Sequence, residues 1–234
     1  MTELLYMKDS YVKDFEATVI DAKDKIIVLD RTAFYPMGGG VPDDSGYVVA
    51  ADKRYNIRMV KKMGDVIIHE VDESGLKIGD KVHGWLDWDR RCMLMRMHTA
   101  AHILSAVVHK ETGALITGNQ INLDKTRIDF DLETFDREKL AEYCEKANAE
   151  ITKSAPVTVE FLPREEAMKI PDIVKLAGAL PPMVKELRIV RIGDIDLQAD
   201  GGPHVSNTKE IGQIEIIDAE NRGKNNRRIY FKLK

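Results

Sequence analysis

Apolar and polar residues alternate with a period of two over the first third of the chain. Runs rich in β-branched or aromatic residues fall at 15–20, 26–29, 46–49, 55–60, 66–71 and 81–87. Turn signals such as Asp52-Lys53, Gly64-Asp65 and Gly79-Asp80 separate them. Each run therefore predicts a short strand, and the spacing predicts a small barrel. From residue 89 the period changes. Leu94, Met97, Ala101, Leu104 and Val108 recur at steps of three and four, with Asp89 placed to cap the start of a helix and Gly113 to end it. Two domains are expected: a β-barrel over 1–88 and an α+β domain over 89–234.

Beyond the helix, 114–123 and 126–132 read as a hairpin turning at Asp124-Lys125. A second helix is expected from about Asp136 to Lys153, burying Leu140, Cys144, Ala147 and Ile151. A strand follows at 157–162, and Pro163 suits the first turn of a short helix to about Lys169. Residues 171–184, with Pro171, Pro181 and Pro182, read as irregular. A strand at 187–192 and a closing hairpin of 212–217 and 228–233 complete an antiparallel sheet packed against helices.

Composition narrows the class. At 44% hydrophobic and 32% charged residues, the 234-residue chain reads as globular. Its net charge of -4 argues against a general polyanion binder but leaves room for a local basic patch. No apolar run reaches the length of a membrane span, and the opening residues lack the basic and apolar regions of a secretory signal. Cys92 and Cys144 form no C-x-x-C pair and no disulfide framework, so a cytoplasmic location is expected.

The candidate chemistry sits on the helix. His98 and His102, four apart, project from one face, the spacing a single metal ion needs to take two imidazoles from a rigid backbone. A second cluster, Asp200-Gly201-Gly202-Pro203-His204, brings another histidine and a carboxylate. Imidazole nitrogen and carboxylate oxygen both suit zinc. Thr99 follows His98 where a zincin protease has its glutamate base, which argues against that class. His109 lies about 10 Å further along the helix, too far to join the same ion. In the first domain, Gly38, Gly39 and Gly40 interrupt the strands inside a loop stiffened by Phe34, Tyr35, Pro36 and Pro42. The loop reads either as a hairpin connection or as a surface where another molecule approaches closely. It is not a phosphate-binding loop, since no Gly-Lys-Ser/Thr follows.

Three ordered motifs carry a resemblance. They are His98-Thr99-Ala100-Ala101-His102, then Asp200-Gly201-Gly202-Pro203-His204-Val205 followed by Thr208-Lys209-Glu210-Ile211-Gly212, and Gly38-Gly39-Gly40 flanked by Phe34-Tyr35 and Asp44-Ser45-Gly46. With the closing Arg227-Arg228-Ile229-Tyr230-Phe231, they resemble the AlaX proteins, freestanding relatives of the alanyl-tRNA synthetase editing domain. The preceding barrel and glycine loop match the medium-length type, and the resemblance covers nearly the whole chain. It implies a zinc-dependent hydrolase that deacylates alanine tRNA mischarged with serine, with glycine as a further acyl group. Two positions depart from the family: Asp200 stands where its metal motif usually has Cys, and Val41 where its glycine motif often has Gln.

The resemblance also implies roles. His98, His102 and His204 hold zinc, with Asp200 as fourth ligand or as a partner behind the ligands. Thr117 aligns with a threonine that reads the serine hydroxyl, although the register leaves Asn119 and Gln198 open. Gly201, Gly202, Gly38, Gly39 and Gly40 are expected against the substrate. Among the basic residues, Lys224, Arg227 and Arg228 are the expected tRNA contacts, with Lys232, Arg90, Arg91 and Arg96 as further candidates. Two other classes stay open: a nucleic-acid-binding module whose zinc is only structural, and a metal hydrolase of small esters or amides.

Overall fold

The computed structural model describes residues 1–133, 137–171, 173 and 184–234. The expected helix start at Asp136 and most of the expected irregular stretch 171–184 lie outside the described residues. The chain is α+β and divides into two compact units, Met1–Met93 and Leu94–Lys234.

In the first unit six strands close a barrel: β1 (Asp14–Lys23), β2 (Ile26–Leu29), β3 (Gly46–Ala50), β4 (Lys53–Met63), β5 (Val66–Val71) and β6 (Lys81–Leu86). Every pairing is antiparallel, in the order β1-β2-β5-β4-β3-β6, with β6 returning to β1. The period-two pattern is the cause. Phe15, Ala17 and Val19 from β1 and Val82 and Leu86 from β6 point inward, and join Val48, Ile57, Val60 and Ile67 in one core. A short parallel pair, Glu3–Leu4 with Arg31–Thr32, and a helical turn, Leu5–Lys8, precede and flank the barrel; neither has enough length to show a period in the sequence.

The glycine stretch folds as a pinned hairpin. Gly38 and Val41 exchange backbone bonds of 3.1 and 2.9 Å across Gly39 and Gly40, whose φ values of 59° and 85° suit residues without a Cβ. Tyr35 donates its hydroxyl to the Gly38 carbonyl at 3.0 Å. At the root, the buried Asp44 carboxylate accepts from the Tyr35 backbone N–H at 2.6 Å and pairs with the fully buried Arg91 guanidinium. Arg91 also donates to the carbonyls of Ser10 and Ala33. Its charge is thus spent inside the first unit, and it leaves the set of candidate phosphate contacts.

His69 is fully buried in the barrel, with Nε2 2.9 Å from the Thr32 hydroxyl. Burial pushes its imidazole down to about 4. The unfolded chain therefore binds the proton first as pH falls, and the stability that neutral His69 gives above pH 6.5 is lost towards pH 4. The loss approaches about 3 kcal/mol. Trp85 and Trp88 both lie in the first unit. Urea unfolding followed by tryptophan fluorescence is expected to show a falling midpoint from pH 6.5 to 4.5, with a flatter dependence in His69→Gln.

The helix α1 (Trp88–Thr112) starts in the first unit and ends in the second. Asp87, rather than Asp89, caps it, accepting from the Arg90 N–H at 3.2 Å. Gly113, at φ 75°, ends it by donating to the His109 carbonyl. Between Leu94 and Val108 every residue except Arg96 and His102 is buried. The sequence shows only one stripe because Thr99 and Ser105 look polar. In the structure Thr99 returns its hydroxyl to the Met95 carbonyl.

Among the described residues the second unit holds two antiparallel sheets. The larger runs β12 (Ile214–Asn221), β13 (Arg227–Leu233), β8 (Thr126–Phe130) and β7 (Ile116–Gln120), in that order. Ile128, Phe130, Ile229 and Phe231, all at most 1% exposed, line one of its faces. The smaller runs β9 (Val157–Pro163), β10 (Glu186–Ile192) and β11 (Asp196–Ala199). The helix α2 (Arg137–Thr152), the turn Arg164–Ala167, shorter than the expected 163–169, and a 3-10 turn, Thr208–Glu210, complete the described elements. Among the described residues no helix is long and apolar enough to cross a membrane.

Candidate metal centre

Four side chains from two distant segments meet in the second unit. His98 and His102 come from consecutive turns of α1, and Asp200 and His204 from the loop after β11. One ligand atom from each lies within 4.8 Å of all the others. Asp200 Oδ1 is 3.2 Å from His204 Nε2, and Oδ2 is 3.7 and 3.8 Å from His98 Nε2 and His102 Nε2. A tetrahedral ion with bonds near 2.05 Å has edges of about 3.3 Å, so the four side chains could hold one metal ion.

Every outer imidazole nitrogen is already engaged. His98 Nδ1 donates to the Pro203 carbonyl at 3.3 Å, and His102 Nδ1 to Asp196 Oδ2 at 2.8 Å. His204 Nδ1 lies 3.1 Å from Thr99 Oγ1; that hydroxyl spends its hydrogen on the Met95 carbonyl and so accepts from the ring. With protons on all three Nδ1 atoms, all three Nε2 atoms face Asp200, and each is a lone-pair donor once it carries no proton of its own. Oriented imidazoles of this kind are what a metal site needs.

The loop is shaped for this arrangement. A Cβ on Gly202 would come within 2.5 Å of His98 Cε1, so only glycine lets the loop reach the ring. The Gly202 N–H fixes Asp200 Oδ1 at 2.6 Å. Arg188, buried on β10, donates to the carbonyls of Asp200 and Gly202, both at 2.9 Å.

The charges are poised for a cation. Burial lowers His98 to about 4 and, with the nearby His98 and His102 charges, holds His204 well below its usual value. Burial also works against charge on Asp200, but His98, His102 and His204 outweigh it and hold the carboxyl well below the usual range. For His102, burial is outweighed by the Asp196 and Asp200 carboxylates, which raise it to about 9. Two neutral imidazoles and one carboxylate are thus ready, and one proton must leave as a metal enters.

Three residues of the centre were not singled out in the sequence. Thr99 and Arg188 give no sequence signal for these roles. Asp196 alternates with Gln198 on a four-residue strand, and both are buried. Gln198, a sequence candidate for the substrate, gives its amide to both Asp196 oxygens at 2.9 and 3.1 Å. Asp196→Asn is expected to weaken metal affinity by about 10–100-fold, because the carboxylate that orients His102 is lost. Competition against a chromophoric chelator measures this, with circular dichroism checking the fold.

The other candidates are distributed as follows. Thr117 is exposed at a bulge in β7, between the pairs Ile116↔Phe130 and Gly118↔Asp129, with its hydroxyl 3.5 Å from Asn226 Nδ2. Asn119, half-buried, pairs with Ile128 and shares its face. Gly201 is exposed beside the centre. Gly39 and Gly40 are exposed and Gly38 half-buried, all in the first unit. Lys224 is exposed, Arg227 buried and Arg228 half-buried.

Comparison with known proteins gives this geometry its context. A family model described as "Threonyl and Alanyl tRNA synthetase second additional domain" matches residues 187–230, which include the Asp200–His204 loop. A model described as "tRNA synthetases class II (A)" matches residues 4–90. The class is that of the domains shared with alanyl- and threonyl-tRNA synthetases. The "Alanyl-tRNA editing protein AlaX-M" of Saccharolobus solfataricus is 47% identical over 100% of both chains, and that of Methanosarcina barkeri 48% identical over 100% of this chain and 99% of its own. The "Alanine--tRNA ligase" of Thermococcus kodakarensis is 39% identical over 94% of this chain and 24% of its own. This chain belongs to the AlaX-M family of alanyl-tRNA editing proteins.

Proposed function

We propose that this protein removes serine from mischarged alanine tRNA in the cytoplasm by hydrolysing the aminoacyl ester at a zinc centre held by His98, His102, His204 and Asp200. The observation that carries the reading is the convergence of three Nδ1-engaged imidazoles on one carboxylate, in a chain similar over its full length to editing proteins. The donors are nitrogen and oxygen, which zinc accepts. Zinc bound there supplies a Lewis acid for a carbonyl, an amino group or a water.

The chain's own residues do the remaining work. Asp196, Thr99 and the Pro203 carbonyl hold the three rings, while Gly202 and Arg188 fix the loop that carries Asp200 and His204. Selection of serine over alanine needs a polar side chain to pair with the hydroxyl, and Thr117 and Asn119 are the candidates. The glycines 38–40 offer open backbone to the tRNA end, and glycine is a second acyl group small enough to be removed. An ester needs less activation than an amide, which suits a site with no glutamate base beside its first histidine.

One observation favours a second reading. Four protein donors fill a tetrahedral shell, and closed shells are typical of structural zinc. On that reading the protein binds RNA without hydrolysing it. Incubation with Ser-tRNA(Ala) and Ala-tRNA(Ala) separates the two. Release of serine with alanine retained supports hydrolysis, while stable binding of both without release establishes the binding module.

A further inference from the structure

The larger sheet of the second unit has two unlike faces. One carries Ile128, Phe130, Ile229 and Phe231 and is buried. On the other, cross-strand partners place Arg127 beside Tyr230 and Gln120, and Asp129 beside Arg228 and Gly118. Two of the three cations expected from the sequence to meet tRNA are spent internally. Arg228 binds both oxygens of Asp129 at 2.6 and 2.9 Å. Arg227, 7% exposed, donates to the carbonyls of Gly223 and Asn226 at 2.7 and 2.9 Å and holds the β12–β13 turn together.

Other cations take their place. Lys125, exposed at the start of β8, sets its ammonium 5.4 Å from the centre of the Tyr230 ring. Arg127 stands directly across from Tyr230. Neither makes an ion pair among the described residues. On the β7 side the row ends in Gly118 and Gln120, small and neutral. On the β12 side Asp218 opposes Tyr230, while Glu215 pairs with Lys232 and Lys234. On this face of the sheet Lys125 and Arg127 therefore stand, among the described residues, without an acidic partner beside one aromatic ring, on a chain whose net charge is -4. With little non-specific polyanion attraction available to a chain of that sign, two such cations beside a ring suit a local phosphate contact.

We infer that the strip Lys125–Arg127–Tyr230 is a docking surface for the sugar-phosphate backbone of an RNA helix. Lys125 and Arg127 contact phosphates, Tyr230 supplies a flat aromatic contact, and Asp218 marks the edge by repulsion. The inference rests on the tRNA reading above and names a surface for it. It also assigns Arg227 to holding the β12–β13 turn and Arg228 to tying β13 to β8, rather than to RNA.

The test uses the full chain and uncharged tRNA(Ala), followed by fluorescence anisotropy over a range of salt. Lys125→Gln and Arg127→Gln are each expected to lower the magnitude of the slope of log Kd against log salt by about 1. The double variant is expected to bind several-fold more weakly with its metal content intact. Arg127→Lys is expected to keep the slope, and Asp218→Asn to tighten binding. If the wild-type chain binds tRNA and the double variant keeps both its Kd and its salt slope, the surface is wrong and the tRNA reading stands. If the wild-type chain binds no tRNA, the tRNA reading falls and the surface falls with it.

Discussion

His98→Ala is expected to leave the protein folded and without stoichiometric zinc. The ring it removes supplies one of three Nε2 atoms that face a single carboxylate. Losing an outer partner of a metal ligand already costs about 10–100-fold in affinity or activity, so losing the ligand itself is expected to exceed about 100-fold. Elemental analysis of purified His98→Ala reads the effect directly, and undiminished zinc would remove His98 from the centre. Asp200→Cys probes the fourth position. Zinc accepts thiolate, so this variant is expected to keep or tighten its metal. The carboxylate oxygens of Asp200 lie 3.2 to 3.8 Å from the three Nε2 atoms, close enough for all four side chains to share one ion. A clear loss of zinc from Asp200→Cys would move Asp200 behind the ligands instead.

The second large effect concerns selectivity. Serine and alanine differ by one hydroxyl, and an apolar pocket distinguishes them weakly. A site that pairs with the hydroxyl can reject the analogue lacking it by about 10⁴-fold, because its polar group is then left unpaired. Thr117→Val keeps the shape and removes the hydroxyl. It is expected to slow Ser-tRNA(Ala) hydrolysis by about 100-fold or more, with zinc content and melting temperature unchanged. The bulge that leaves Thr117 out of the pairing of β7 with β8 also leaves its side chain exposed, with only the long Asn226 contact. Asn119 has the complementary placement, half-buried on the face of Ile128. Unchanged discrimination in Thr117→Val would pass the role to Asn119, since the Gln198 amide is already given to Asp196.

What the sequence made legible follows from range. The histidine pair could be read because side chains that converge from one helix face lie about four residues apart, and the barrel because inward residues must alternate. Gly113 could be read because a left-handed residue ends the helix where the apolar pattern stops. The Asp44–Arg91 pair joins residues 47 positions apart, and no local pattern announces it. Asp196 reaches His102 across 94 positions from a strand of four residues, too short to establish a period. The near-complete burial of α1 between Leu94 and Val108 was hidden by Thr99 and Ser105, whose hydroxyls look polar in sequence. Arg227 and Arg228 looked available because sequence shows charge but not the Asp129 carboxylate or the turn carbonyls that occupy it.

One metal ion held by these four residues is the proposed source of the deacylase activity. The direct measurement strips the metal with a chelator, returns zinc in fractions of an equivalent, and follows serine release from Ser-tRNA(Ala) at each step. The rate is expected to rise in proportion to added zinc and to break at one equivalent per chain, with Ala-tRNA(Ala) spared throughout. A stripped protein that releases serine at the full rate, or a zinc-loaded one that releases none, would contradict the proposal.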